Sequence, residues 1–193
     1  MELPASTWRA YQSDGFPTHG WRVEGEALRA LGAGPRIDLV SRARYRDFAL
    51  SFEWCLPPGG NSGVLYRVSE DAAEPWQSGP EMQLVDDLEH PDGHDSLRRC
   101  GALYDLVAPR ARAQPLADAY VRARIVVRGW RVEHWLNDLL LLAYDLADPA
   151  VRARVARSKF AAYPRFAREP EGHLVLQHHG TDAWFRRLRI ESA

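Results

Sequence analysis

Apolar and polar positions alternate along much of this chain. Over residues 47–56, Phe48, Leu50, Phe52 and Trp54 fall on one face of an extended segment that Pro57-Pro58-Gly59-Gly60 terminates. Comparable patterns predict strands over 62–68, 81–86, 101–107, 121–128, 130–137, 173–178 and 184–191. Gly129 marks a tight hairpin and Asp138 a further turn. The spacing predicts one short helix over 148–158, with Asp148 as its N-cap and Pro149 at its first position, covering one end of the sheets. Stretches 88–99 and 108–119 read as loops. Many short strands with little helix predict an all-β fold, a two-sheet antiparallel β-sandwich of jelly-roll type, as one domain over 1–193. The core face should carry Phe48, Leu50, Phe52, Trp54, Val64, Met82, Leu84, Leu174, Leu176, Leu188 and Ile190, with Trp135 and Trp184 also inside.

Composition narrows the partners. With 193 residues, 46% of them hydrophobic, and seven Trp, the chain can bury a sizeable core. Its 25 basic and 26 acidic residues give no basic field, so nucleic acid is not an expected partner. Lys159 is the only lysine among those 25. Cys55 and Cys100 lack any metal-finger or disulfide-framework spacing and should be buried thiols. The apolar run 139–144 is too short for a membrane span, so no membrane partner is expected. The N-terminus lacks the pattern of an export signal, which implies a cytoplasmic protein if the chain is native, and a periplasmic or extracellular one if a leader has been removed. Oligomeric state is not legible.

Strand parity gathers polar groups. Asn61 and Arg67 share a face if their strand is regular, as do Glu81 with Gln83 and Gln177 with His179. Together they suggest a polar concave surface, although each set alone suits a solvated sheet face. Glu81 and Arg67 would equally suit a cross-strand ion pair, and Asn61 a turn. Trp76, in a Pro-rich loop, is the better candidate among the tryptophans for stacking on a ligand. His90 and His94 could ligate a metal or lie in a solvated loop.

Six segments in order carry a resemblance: Gly59-Gly60-Asn61-Ser62-Gly63 with Arg67, Pro80 to Asp87, Gly101-Ala102-Leu103-Tyr104-Asp105, Val132 to Asn137, Leu176-Gln177-His178-His179-Gly180, and Phe185-Arg186. The chain resembles the 3-keto-disaccharide hydrolase domain family from about Trp21 to Ile190. The resemblance implies a concanavalin-like jelly roll and a small-molecule carbohydrate substrate whose C3 hydroxyl has been oxidised to a ketone. Three positions depart from the family pattern: His178 replaces a usual acidic residue, Arg187 a usual Asn, and Ala119-Tyr120-Val121 stands near a usual Gly-Glu-Trp-Asn stretch. By strand alternation His178 faces opposite to His179, either as an interior histidine or as a tuner of the site.

Such a substrate has an acidic proton at C2, so the chemistry requires a base, an electrophile at the ketone oxygen and donors for the hydroxyls. Glu81 or His179 is the candidate base and Arg67 the candidate oxyanion partner. A divalent metal held by Glu81, Asp86 and His179 would serve the same electrophilic role. Asn61, Gln83, Tyr104, Gln177 and Trp76 are the candidate sugar contacts. The competing reading is a non-catalytic carbohydrate-binding module, which needs only the polar face and a stacking aromatic.

Overall fold

The structure, a computed structural model, describes residues 1–112 and 115–193. One sheet orders five strands as β1 (Trp8–Ala10), β4 (Leu39–Tyr45), β11 (Gly172–Leu176), β6 (Asn61–Val68) and β7 (Glu81–Val85). The second orders seven as β10 (Leu139–Asp145), β9 (Arg131–Leu136), β8 (Val121–Arg128), β5 (Phe48–Cys55), β12 (Ala183–Glu191), β3 (Ala27–Ala30) and β2 (Trp21–Glu24). All pairings are antiparallel. The helix, α1 (Pro149–Ala156), begins where Asp148 accepts a 2.7 Å hydrogen bond from the Ala150 amide.

The alternating residues of β5 meet Val64, Met82, Leu84, Leu174 and Leu176 across the sandwich, and Leu188 and Ile190 join them from β12. All are buried. Truncating such a residue to alanine typically costs about 2–5 kcal/mol, so period-two alternation fixes the register of these strands strongly. Cys55 and Cys100 are free and buried.

Three sequence expectations fail for physical reasons. Residues 101–107 form no strand: Leu103 and Val107 exchange backbone hydrogen bonds of 3.1 and 3.0 Å, closing a tight loop that turns at Asp105 with φ 62°. Trp135 and Trp184 lie half-buried on the outer face of the seven-stranded sheet, because Val132, His134 and Leu136 take the inward positions of β9, and Ala183 and Phe185 those of β12. Their partners are polar: Trp135 donates to Glu133 at 2.8 Å, and the Arg29 guanidinium sits 4.8 Å from the Trp184 ring. The short strands β1 to β3, and the longer β4 and β10, carry no expectation from the pattern. The 88–99 segment is a loop with one 3₁₀ turn at Pro91–His94. The described part of 108–119 is also loop, while Ala113 and Gln114 lie outside the described residues.

The outward face of the five-stranded sheet holds a second, small apolar cluster of Val40, Leu65, Val68 and Val175, against which Trp76 packs. The rest of that face is polar, and the segments around Trp76, Tyr104 and Phe160 wall it in.

Candidate functional site

On this face Asn61 pairs in register with Val85, Gly63 with Gln83, and Leu65 with Glu81. Strand alternation therefore sends Asn61, Glu81 and Gln83 outward together while Val64, Met82 and Leu84 enter the core. Gln177 comes just after β11 and is tied to the same place: its amide donates to the Gly63 carbonyl at 2.9 Å, and its carbonyl accepts from Ser62 Oγ at 2.8 Å. These groups line a cavity of about 320 Å³ together with Asp38, Trp76, Tyr104, Lys159 and His179. That size suits one or two sugar rings.

The polar lining is unsatisfied in a specific way. Asn61 Oδ1, Gln83 Nε2 and Gln177 Oε1 are buried without a hydrogen-bond partner. A buried unpaired amide atom costs about 1–3 kcal/mol, and the three residues that bear these atoms all line one cavity, which fits a ligand bearing several hydroxyls. Asn61 Nδ2 approaches His90 Nε2 at 3.4 Å.

Glu81 is 8% exposed, and burial pushes its carboxyl up to about 8; the Lys159 charge opposes that shift while Asp38 and Asp92 reinforce it. Gly63 makes its position possible, since a Cβ there would collide with the Glu81 carboxylate. Asp38 is a second carboxyl in the cavity, raised to about 7 by burial although it accepts a 2.7 Å hydrogen bond from the His178 amide. Burial pushes the Tyr104 phenol up to about 12.

His179 stands exposed at the cavity rim, and desolvation together with Arg36 and His90 lowers its pKa, leaving a neutral imidazole. His178 points the other way. Its Nε2–H donates to the Leu31 carbonyl at 3.0 Å, its Nδ1 accepts from the Gly180 amide at 3.2 Å, and its ring packs edge-on against Trp21 at 5.9 Å. Both nitrogens are satisfied, so His178 acts as a buried strut at the end of β11.

Arg67 is not in this site. Val175 pairs with Leu65 but His173 pairs with Val68, so β6 carries one residue more than β11 over this stretch. This bulge, with Arg67 at φ 54°, breaks the period-two rule that places Arg67 beside Asn61. Its guanidinium is instead buried against the Trp130 ring, 4.8 Å from the centroid, and donates to the Gly129 carbonyl. No Glu81–Arg67 ion pair forms. Asp86 also leaves the set: its two oxygens accept the amides of Leu88 at 3.0 Å and Gly59 at 2.8 Å. The metal set of Glu81, Asp86 and His179 is thus not assembled, and among the described residues no three His, Cys, Asp or Glu side chains cluster as ligands.

Three lining groups escape sequence reasoning. Asp38 precedes β4, Lys159 opens a 3₁₀ turn after α1, and Arg36 lies against Gly180; none sits in a strand pattern that would mark it. A groove of about 630 Å³ on the outward face of the seven-stranded sheet is larger, but Arg122, Arg187 and Arg189 there are tied to Asp138, Glu53 and Glu2. The smaller cavity is lined by the residues with unpaired amides and raised carboxyls, which makes it the candidate site.

Known proteins resemble this chain in sequence and fold. The sequence profile described as the 3-keto-alpha-glucoside-1,2-lyase-like domain matches residues 4–191. A 3-keto-disaccharide hydrolase of Bacteroides thetaiotaomicron is 31% identical over 215 residues, covering 95% of this chain and 73% of that protein. The crystal structure of a candidate glycosyl hydrolase from Parabacteroides distasonis superposes with a TM-score of 0.88 at 25% identity, over 98% of this chain and 90% of that one. The carbohydrate-binding module CBM66 of Bacillus subtilis, at TM-score 0.60 and 13% identity over 96% of each chain, shares the fold alone. The chain belongs to the 3-keto-alpha-glucoside-1,2-lyase-like domain family, a family of enzymes.

Proposed function

We propose that this protein hydrolyses 3-keto-glycosides by elimination and hydration. The observation that carries the reading is the cavity itself: two carboxyls with raised pKa, among three unpartnered amides, under Trp76. With values of about 8 and about 7, Glu81 and Asp38 together hold one proton between those pH values; it rests mostly on Glu81, and the reaction starts from the pair's other form, in which Glu81 is ionised and Asp38 carries the proton.

The ketone at C3 acidifies the C2 proton. Glu81 removes it, and the electron pair passes into an enolate and then expels the aglycone oxygen from C1. That oxygen leaves with the proton of Asp38. Once the aglycone has left, the proton on Glu81 exchanges with the water that enters. Water then adds to C1 of the unsaturated ketone, giving its proton to Asp38, and C2 recovers a solvent-derived proton from Glu81. Each carboxyl ends as it began, and the sum is hydrolysis. Asn61, Gln83 and Gln177 bind the sugar hydroxyls, Trp76 and Tyr104 bound the ring, and neutral His179 meets the sugar at the rim. General acid–base groups of this kind contribute about 10²–10⁴-fold each.

No step runs through a metal, because the Asp86 oxygens are committed to the backbone. Incubation with 3-keto-trehalose or a 3-keto-glucoside, with and without a chelator, tests the reading. Release of the aglycone in both arms is expected. Sugar binding without release, with or without added divalent cations, would instead make the protein a binding module.

A further inference from the structure

We infer that Lys159 is the electrophile that meets the substrate's ketone oxygen, an assignment that rests on the 3-keto-glycoside reading. Lys159 is the only lysine of the chain and lines the cavity. Its backbone is fixed from both sides. Ser158 Oγ accepts the Phe160 amide at 3.2 Å to cap the 3₁₀ turn, and Phe160 is buried in a stack on Phe166 with ring centroids 4.0 Å apart.

The ammonium then reaches back over aromatic rings, 4.5 Å from the centroid of Tyr104, 5.1 Å from Phe160 and 5.7 Å from Trp76. Three ring faces hold a cation without hydrogen-bonding its protons away, which leaves them directed at whatever enters the cavity. Among the described residues no carboxylate lies within 4 Å of this nitrogen, so it is not committed to a salt bridge.

The other cations do not serve. Arg67 is walled off behind β6, and the Arg36 guanidinium lies along Gly180, on the histidine side of the cavity. Lys159 is the cation whose charge Glu81 senses. A base at C2 and an electrophile on the C3 oxygen must act on neighbouring atoms, so the cation paired electrostatically with the base is the one placed for the oxygen. As the C2 proton moves to Glu81, negative charge moves from the carboxylate to the enolate oxygen. A fixed ammonium next to both tracks that charge with no reorganisation.

The test separates enolisation from aglycone loss. The wild type, Lys159→Met and Lys159→Arg are compared on two substrates: 3-keto-trehalose for turnover, and a 3-keto anhydroglucitol, which has no aglycone, for exchange of its C2 proton with deuterated water. Loss of an oxyanion donor costs about 10²–10³-fold, so both turnover and exchange should fall by that factor in Lys159→Met. Lys159→Arg should recover part of each, and added ethylammonium should partly rescue Lys159→Ala. The side chain is exposed, so melting temperatures should not change. Wild-type exchange in Lys159→Met would overturn the assignment, as would a borohydride-trapped sugar adduct on Lys159, which would mean imine chemistry. If the wild type itself neither exchanges nor turns over any 3-keto sugar, the substrate reading fails instead.

Discussion

Gly63→Ala tests the geometry of the site without replacing a titrating group. Gly63 lies in the middle of β6, opposite Gln83, and its φ is not in the left-handed region, so alanine fits the backbone. The new methyl would meet Glu81 Oε1 first, with Cδ at 2.8 Å and Cγ at 2.9 Å, where ordinary contact begins at 3.4 Å. The strand is held by hydrogen bonds on both sides, to β7 and β11, so the Glu81 side chain must swing rather than the backbone. Displacing a reacting group by about 1 Å costs on the order of 10²-fold in rate. Replacing a strand glycine by alanine stabilises by about 0.5–1 kcal/mol when no clash remains. The expected result is a kcat/KM for a 3-keto-glycoside lowered by about 10²-fold, with a melting temperature near that of the wild type. In a Glu81→Ala background the clash is gone, so adding Gly63→Ala should raise the melting temperature and leave the residual rate unchanged. Wild-type kcat/KM in the single Gly63→Ala variant would refute the claim that Glu81 does its work from the position seen beside β6.

Burial raises the Glu81 carboxyl from 4.5 to about 8, so the folded state holds this proton more tightly and stability falls as pH rises through that window. Glu81→Gln should therefore leave denaturant stability near wild type at acid pH and raise it by a few kcal/mol above pH 8, while abolishing turnover; equal effects at both pH values would contradict this. Arg67→Met should lower stability by about 1–3 kcal/mol through loss of the Trp130 and Gly129 contacts and leave kcat unchanged, since the guanidinium lies outside the cavity; a selective loss of kcat would return Arg67 to the chemistry. His178→Asp should destabilise by at least about 1–3 kcal/mol, because it removes one of the two donors to the Leu31 carbonyl, leaving only the Gly34 amide, and buries a carboxylate whose backbone amide already serves Asp38; an unchanged chemical denaturation midpoint would show that the ring is not a strut.

The sandwich was legible where one face of a strand is buried and the other wet. Phe48, Leu50, Phe52 and Trp54 could take only one register, and their partners on β6, β7, β11 and β12 obeyed the same rule. Strands of three or four residues, such as β1 to β3, are too short for a period to emerge, and 101–107 imitated a strand because Leu103 and Val107 alternate while closing a loop on each other. Asn61, Glu81, Gln83 and Gln177 were readable as a set because each projects from or beside a regular strand. Arg67 was not, since a single extra residue in β6 reverses the face on which the end of that strand projects, and nothing in Leu65-Tyr66-Arg67-Val68 announces it. Asp38 and Lys159 were invisible for another reason. They meet Glu81 only through the folding of segments 43 and 78 residues away along the chain, and such convergence leaves no local pattern.

The most direct test of the central claim is the fate of the C2 proton during turnover of 3-keto-trehalose in deuterated water, monitored by mass spectrometry and proton NMR of the released 3-keto sugar. Elimination and then hydration predicts one deuterium at C2 of the product from wild-type protein, and neither release nor label from Glu81→Gln. Efficient aglycone release with the C2 proton retained, or release by Glu81→Gln at the wild-type rate, would contradict the account.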